Sequence, residues 1–312
     1  MRNFTSKFLA VLVVTATFTA CEEDGDLAGT AALQTKAAEL YLQAEGRTNQ
    51  IFSTIDEGFK NQDYIDNGTA TLSNGATFSN DLATNAVNID FGTGINVGGD
   101  LIKGAISLDQ QGTNYADNNA IVVAQLIGYH INDSPVLGKI TIENKTIAAG
   151  PESREVTVED FVIQEEFKAD SINIFKLNTA TKLDWTAGSS TPSDITDDQY
   201  EVMGNSINLP AFENDIIGTL TPAGLAYDVS IAITITEKLV IANSCDYRIV
   251  SGLSTLSFGT TSTEEADEPF LTGGTLDFDN DDTGLCDQFA RLEANTKTGG
   301  SAGFTLTLQK VD

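Results

Sequence analysis

The sequence predicts a mainly β protein: an antiparallel meander forming a sandwich or curved half-open barrel, with an N-terminal helix packed on it. Three observations predict this class. From Asn74-Gly75 onward apolar residues recur with a period of two, the spacing that puts alternate side chains of a strand on one face. The runs return roughly every 10–15 residues, separated by glycine- and proline-bearing turns. No helical pattern intervenes, so neighbouring strands are expected to be antiparallel, because a parallel pair needs a long crossover.

The chain opens differently. Met1 to Lys7 carries Arg2 and Lys7, Phe8 to Ala20 is uncharged and mostly apolar, and Cys21 follows Phe18-Thr19-Ala20. A charged start, an apolar run and a small residue before the cut form a secretory signal over residues 1–20. The cysteine at the cut makes it similar to a bacterial lipoprotein signal, with Phe18 where leucine is usual; Cys21 is then the lipid attachment site. The apolar run is short of the roughly 20 residues a membrane span needs. Residues 21–29 read as an acidic tether, with Glu22, Glu23, Asp24 and Asp26.

Residues 30–60 carry a helical pattern. Leu33, Ala37, Leu40 and Ala44 recur at three or four positions, and Ile51, Ile55 and Phe59 resume the stripe beyond Gly46. A glycine inside a helix costs roughly 1 kcal/mol, so a kink or break is expected there. The stripe is expected to pack on the β domain of residues 74–312.

Within that domain, Val87, Ile89 and Phe91 alternate with polar residues, as do Ile102, Ile106 and Leu108. Ile121 to Ile131 is apolar at both parities, the pattern of a strand buried on both faces. Val229, Ile231, Ile233 and Ile235 form the clearest strand, and runs to Phe304–Leu308 follow. The segment Val87-Asn88-Ile89-Asp90-Phe91-Gly92 resembles Gly274-Thr275-Leu276-Asp277-Phe278-Asp279, a faint internal repeat.

Composition narrows the function classes. With 45 acidic and 17 basic residues the net charge is −28, and signal cleavage would remove two basic residues and no acidic one. Such a surface repels phosphate backbones and anionic headgroups, which excludes nucleic acid as a partner. Once Cys21 is acylated, Cys245 and Cys286 remain as an even pair in an exported chain, and a disulfide is the simplest reading.

Several segments together resemble a group of uncharacterised Bacteroidota lipoproteins of the outer membrane and cell surface. They are the cysteine with acidic residues after it, the helix around Ala44–Phe59, and Asn88-Ile89-Asp90-Phe91-Gly92. Lys103-Gly104, Gly128-Tyr129-His130-Ile131-Asn132 and Leu183-Asp184-Trp185 follow. Cys245-Asp246-Tyr247-Arg248-Ile249-Val250-Ser251-Gly252 is the most specific part, and Leu276-Asp277-Phe278 leading to Gly284-Leu285-Cys286-Asp287 closes the series. Members often carry another cysteine just after the first Asp-Phe-Gly, where this chain has Ile95 and Asn96. The resemblance implies an exported all-β lipoprotein and no particular activity. The acidic run after Cys21 is also similar to the signal that sends such proteins to the outward face of the outer membrane.

Candidate chemistry is sparse. Asp277, Asp279 and Asp281 alternate as calcium-loop ligands do, but Asp282 stands where the turn glycine belongs and Gln288 where the bidentate glutamate belongs. Weak calcium binding at most is expected, and no other cofactor. His130 is the sole histidine; there is no Gly-x-Ser-x-Gly elbow for a triad and no second histidine for zinc. Trp185, Tyr200 and Tyr227 lie near predicted loops as carbohydrate-contact candidates. The expectation is a lipid-anchored, surface-exposed, non-enzymatic binding or scaffolding protein, with an extracellular glycan or protein as partner. Two alternatives stay open: a carrier of an apolar ligand between curved sheets, and a carboxylate-based glycan hydrolase, which needs two facing acids, one with a displaced pKa.

Overall fold

The computed structural model describes residues 25–81, 86–111, 114–147, 150–168, 171–188, 190–191, 195–203, 216–222, 229–245, 247–260, 269–279, 286 and 289–308. The signal, Cys21, Glu22 to Asp24, Tyr227 and Asp281 lie outside the described residues; residues 25–29, expected as part of the tether, are helical.

The chain is mainly antiparallel β with an N-terminal helix against the sheets. Helix α1 (Gly25–Lys60) passes through Gly46 unbroken. Asn61 then caps the short α2 (Gln62–Asn67): its side chain accepts the Asp63 N–H, and Gly68, at φ 71°, closes the far end. From Thr69–Thr71 the strands zigzag through Thr77–Asp81, Ala86–Asp90, Asp100–Gln111, Ile121–Ile131 and Leu137–Asn144 to Ser153–Lys168 and Ser171–Ala187.

Ser171–Ala187 is a branch point. Its first half pairs with Ile216–Pro222, its second half with Gln199–Met203. One branch goes on to Leu239–Ala242 and Arg248–Ser251. The other runs through Val229–Ile235, Leu253–Thr260, Leu271–Asp277 and Phe289–Thr296 to Ser301–Thr307. Among the described residues Thr69–Thr71 pairs only with Thr77–Asp81 and Ser301–Thr307 only with Phe289–Thr296, so the curved sheets do not close into a barrel.

Helix α1 fills the space they enclose. Every residue from 48 to 59 is buried, so the apolar stripe in the sequence understates how much of the helix is covered. Buried polar side chains of the helix find partners in the strands and turns around it. The Gln34 amide donates to the Leu271 carbonyl at 2.7 Å and accepts the Leu271 N–H at 2.9 Å. Ser53 donates to the Asn243 side chain at 3.2 Å, and Glu57 accepts from the Ser73 hydroxyl at 2.9 Å. A buried polar group so paired avoids a desolvation penalty of ~1–3 kcal/mol.

Asn49, whose buried Nδ2 has no partner among the described residues, is one exception, and the charged exception is Glu45. It is 3% exposed and its Oε2 has no partner among the described residues. Burial raises its carboxyl from the ordinary 4.5 to about 7. One turn earlier the Tyr41 hydroxyl is also unpartnered, and burial, with the charge of Glu45 adding to it, lifts that phenol well above its usual value. Between those two carboxyl values the folded state keeps a proton the unfolded chain has lost. Stability therefore falls as pH rises through that window and levels off above it, a loss of ~3 kcal/mol. Glu45→Gln removes the titration. Urea denaturation is expected to find the variant more stable than its parent by up to ~3 kcal/mol at about pH 8 and close to it at about pH 5. A difference that does not change with pH would show that this carboxyl ionises freely in the fold.

Alternation holds where the sequence showed it: Val229, Ile231 and Ile233 are buried, as are Val87, Ile89 and Phe91. Ile121–Ile131 departs from expectation. Val122, Ala124, Tyr129 and Ile131 face inward, while Ile121 and Val123 are half-buried and Ile127 is 53% exposed. The strand has one buried face, and its outer apolar residues lie on the solvent side of the sheet.

The faint repeat has a structural counterpart. Asp90 sits opposite Ala105, and the Phe91 N–H donates to the Gly104 carbonyl at 2.9 Å. Asp277 sits opposite Leu253, and the Phe278 N–H donates to the Gly252 carbonyl at 3.2 Å. Both glycines have positive φ, and a Cβ on either would lie within 2.4 Å of a carbonyl oxygen, Gly128 O or Lys238 O; no other residue fits there without shifting backbone. The Leu183-Asp184-Trp185 segment makes the same closure: Asp184 is opposite Ser153, and the Trp185 N–H donates to the Glu152 carbonyl at 2.8 Å. In this third copy a glutamate stands where the others have glycine.

Candidate functional site

The third copy opens onto a cleft of about 940 Å³ at the C-terminal end of α1, a size typical of ligand-holding clefts, ~300–1,000 Å³. Lys60, the last residue of α1, enters from one side, where a cation suits the helix dipole. Helix α2 supplies Tyr64 and Ile65, Ile65 being 60% exposed. The opposite wall brings Glu152 and Arg154, and Trp185 and Tyr115 lie between.

These groups hold one another. The Lys60 ammonium is 2.7 Å from Asp56 Oδ2 and 3.2 Å from Glu152 Oε1, and it sits 3.7 Å above the Trp185 ring. The Arg154 guanidinium pairs with Glu152, donates to Thr146 Oγ1 at 3.2 Å and covers the Tyr115 ring at 4.6 Å. Tyr115 donates to Asp56 Oδ1 at 2.7 Å. Tyr200 reaches Asp56 and Asp198, each at 3.3 Å, and the Trp185 Nε1–H donates to Asp198 Oδ1 at 3.0 Å.

The two aspartates are displaced in opposite directions. Burial would raise the Asp56 carboxyl, but the charges of Lys60 and Arg154 and the hydrogen bonds from Lys60 and Tyr115 hold it below its ordinary value. Burial pushes Asp198 up to about 6; Lys60 opposes the rise, and the neighbouring Asp56 charge reinforces it. A split carboxyl pair is the pattern of acid–base catalysis. Here, however, Asp56 and Asp198 are 1% and 2% exposed, and neither lines the cleft. They brace its floor from below.

The other residues singled out by the sequence fall elsewhere. Cys245 and Cys286 form a disulfide with Cα atoms 5.0 Å apart, within the bonding range. Asp277 Oδ1 accepts the Asp279 N–H at 3.1 Å, shaping a turn, and no cluster of three or more metal-ligating residues occurs among the described residues. His130 Nδ1 donates to the Gly128 carbonyl at 2.8 Å and is half-buried at a strand end. Trp185 and Tyr200 are buried rather than loop-exposed. Sequence reasoning missed Lys60, Asp56, Glu152 and Arg154; the recurrence of Asp-aromatic at 90–91, 184–185 and 277–278 is the signal that leads to Glu152 and Trp185. No protein-family model, curated protein or solved structure matches this chain.

Proposed function

We propose that this chain is a lipid-anchored binding protein of the outer membrane surface, without catalytic activity, and that the cleft at the end of α1 receives its ligand. The anchor reading rests on the signal pattern over residues 1–20 and on Cys21. A triacylated cysteine has enough buried CH₂ groups for lasting attachment. One observation carries the binding reading. The charged side chains lining the cleft, Lys60, Glu152 and Arg154, are already tied to one another or to the buried Asp56. A site held in this way is shaped to hold a ligand. A catalytic acid or base must reach a substrate proton, and Asp56 and Asp198 are covered. The interior where an apolar cargo would sit is occupied by α1.

Two measurements test this. Intact-mass analysis of the native protein is expected to show the lipid on Cys21, and Cys21→Ser to abolish membrane association; an unmodified Cys21 would overturn the anchor. Glycan and peptide arrays, with chromatography of each hit after incubation, are expected to show retention without turnover. A cleaved product would reinstate the hydrolase.

A further inference from the structure

We infer that the cleft takes a neutral, hydroxyl-rich ligand, an oligosaccharide chain. The inference rests on the binding role proposed above and names its chemistry. Charge comes first. Lys60 and Arg154 are matched by Glu152 and Asp56, so the cleft offers neither an unpaired cation to an anionic ligand nor an unpaired carboxylate to a cationic one. The net charge of −28 adds a field that repels anions from the whole surface.

What the lip does offer is uncharged. The Asn80 Oδ1 accepts the Tyr64 hydroxyl at 2.7 Å, which orients the amide and leaves its NH₂ group without a partner among the described residues. The Asn114 side-chain amide is likewise unpartnered there and exposed. Such amides donate and accept, as sugar hydroxyls do. The same lining includes apolar surface: Ile65, and the Tyr64 ring, which is pinned edge-on by Phe78 at 4.6 Å and Phe59 at 6.2 Å. A sugar ring has apolar C–H faces and a hydroxyl edge, and this lip presents both complements on a pre-set frame. Pre-set polar groups around an apolar bed are what give a small-ligand site its orientation.

Trp185 is the only tryptophan in the chain and lines the cleft, so its intrinsic fluorescence reports on occupancy without a label. The acylated protein in phosphatidylcholine nanodiscs would be titrated with neutral gluco-, manno- and xylo-oligosaccharides, with oligogalacturonate and heparin fragments as anionic probes, and with a mixed peptide set. At least one neutral sugar is expected to give a saturable change whose affinity stays within about twofold between low and high salt, since no net charge is engaged. The Asn80→Ala/Asn114→Ala pair, both exposed, is expected to weaken it about tenfold or more with melting unchanged. Response to anionic sugars or peptides with none to any neutral sugar would overturn the ligand class and leave the binding role standing. Silence to every probe, by fluorescence and calorimetry alike, would overturn both.

Discussion

Asp56→Ala is expected to cost about 3–5 kcal/mol of folding stability at neutral pH, the range for removing one partner of a buried charge pair. Asp56 is the acceptor at the centre of the floor: Lys60, Tyr115 and Tyr200 all direct donors at it. Truncation strands the buried Tyr115 hydroxyl and leaves Lys60 with Glu152 alone and Tyr200 with Asp198 alone, and much of the cost is this loss of acceptors rather than the worth of the pair itself. Urea denaturation of Asp56→Ala, Lys60→Met and the double variant checks it. The double variant is expected to recover part of the single losses, because a charge and its counter-charge leave together. Losses that simply add, or an Asp56→Ala cost below about 1 kcal/mol, would show that the floor is not held by this carboxylate. The sign with pH follows from the depressed carboxyl. Its contribution is present above the unfolded value, ~4, and is lost as pH falls through the lower folded value. This is opposite to Glu45, so acid weakens the cleft end of α1 while it relieves the strain around the buried Glu45.

Helix α1 and the strands around it show what was legible in the sequence. The strand periods were, because a sheet with one solvated face writes its burial as alternation, as in Val229–Ile235. Helix α1 was legible as a helix and not as an enclosed one. Ser53, Asp56 and Glu57 read as a solvent face until Asn243, Tyr115 and Ser73, which bond to them, are in place. Ile121–Ile131 misled for the complementary reason: Ile127 is apolar yet exposed, and one exposed isoleucine carries little penalty. The site was least legible. Its parts lie between Asp56 and Tyr200 and come from segments distant in the chain: α1, the Tyr115 loop, Glu152 and Arg154, Trp185 and Tyr200. The disulfide, by contrast, followed from counting cysteines.

Removing that disulfide, with serine at both Cys245 and Cys286, is expected to cost about 4 kcal/mol. The figure is the chain-entropy value for a closed loop whose ends are 41 residues apart. The folded side of the balance should change little, because Cys286 is exposed and leaves no cavity there. Cys245 belongs to a segment held by other bonds. The Asn243 N–H donates to the Asp198 carbonyl at 3.0 Å, the Asn243 amide to Ile195 O at 2.9 Å, and Arg248 Nε to Cys245 O at 2.9 Å. That segment also accepts Ser53 of α1, so it keeps its place in the folded protein without the bridge. The loss then acts on the unfolded chain, which expands once the bridge is gone. A larger expansion exposes more surface, so the denaturant slope m is expected to rise in the serine variant and stay unchanged in Asp56→Ala. The midpoint should fall in both. A serine variant with unchanged m and a loss below about 1 kcal/mol would mean that the unfolded chain is already compact across this loop. Thiol titration of the acylated parent, denatured without reductant, is expected to find none free.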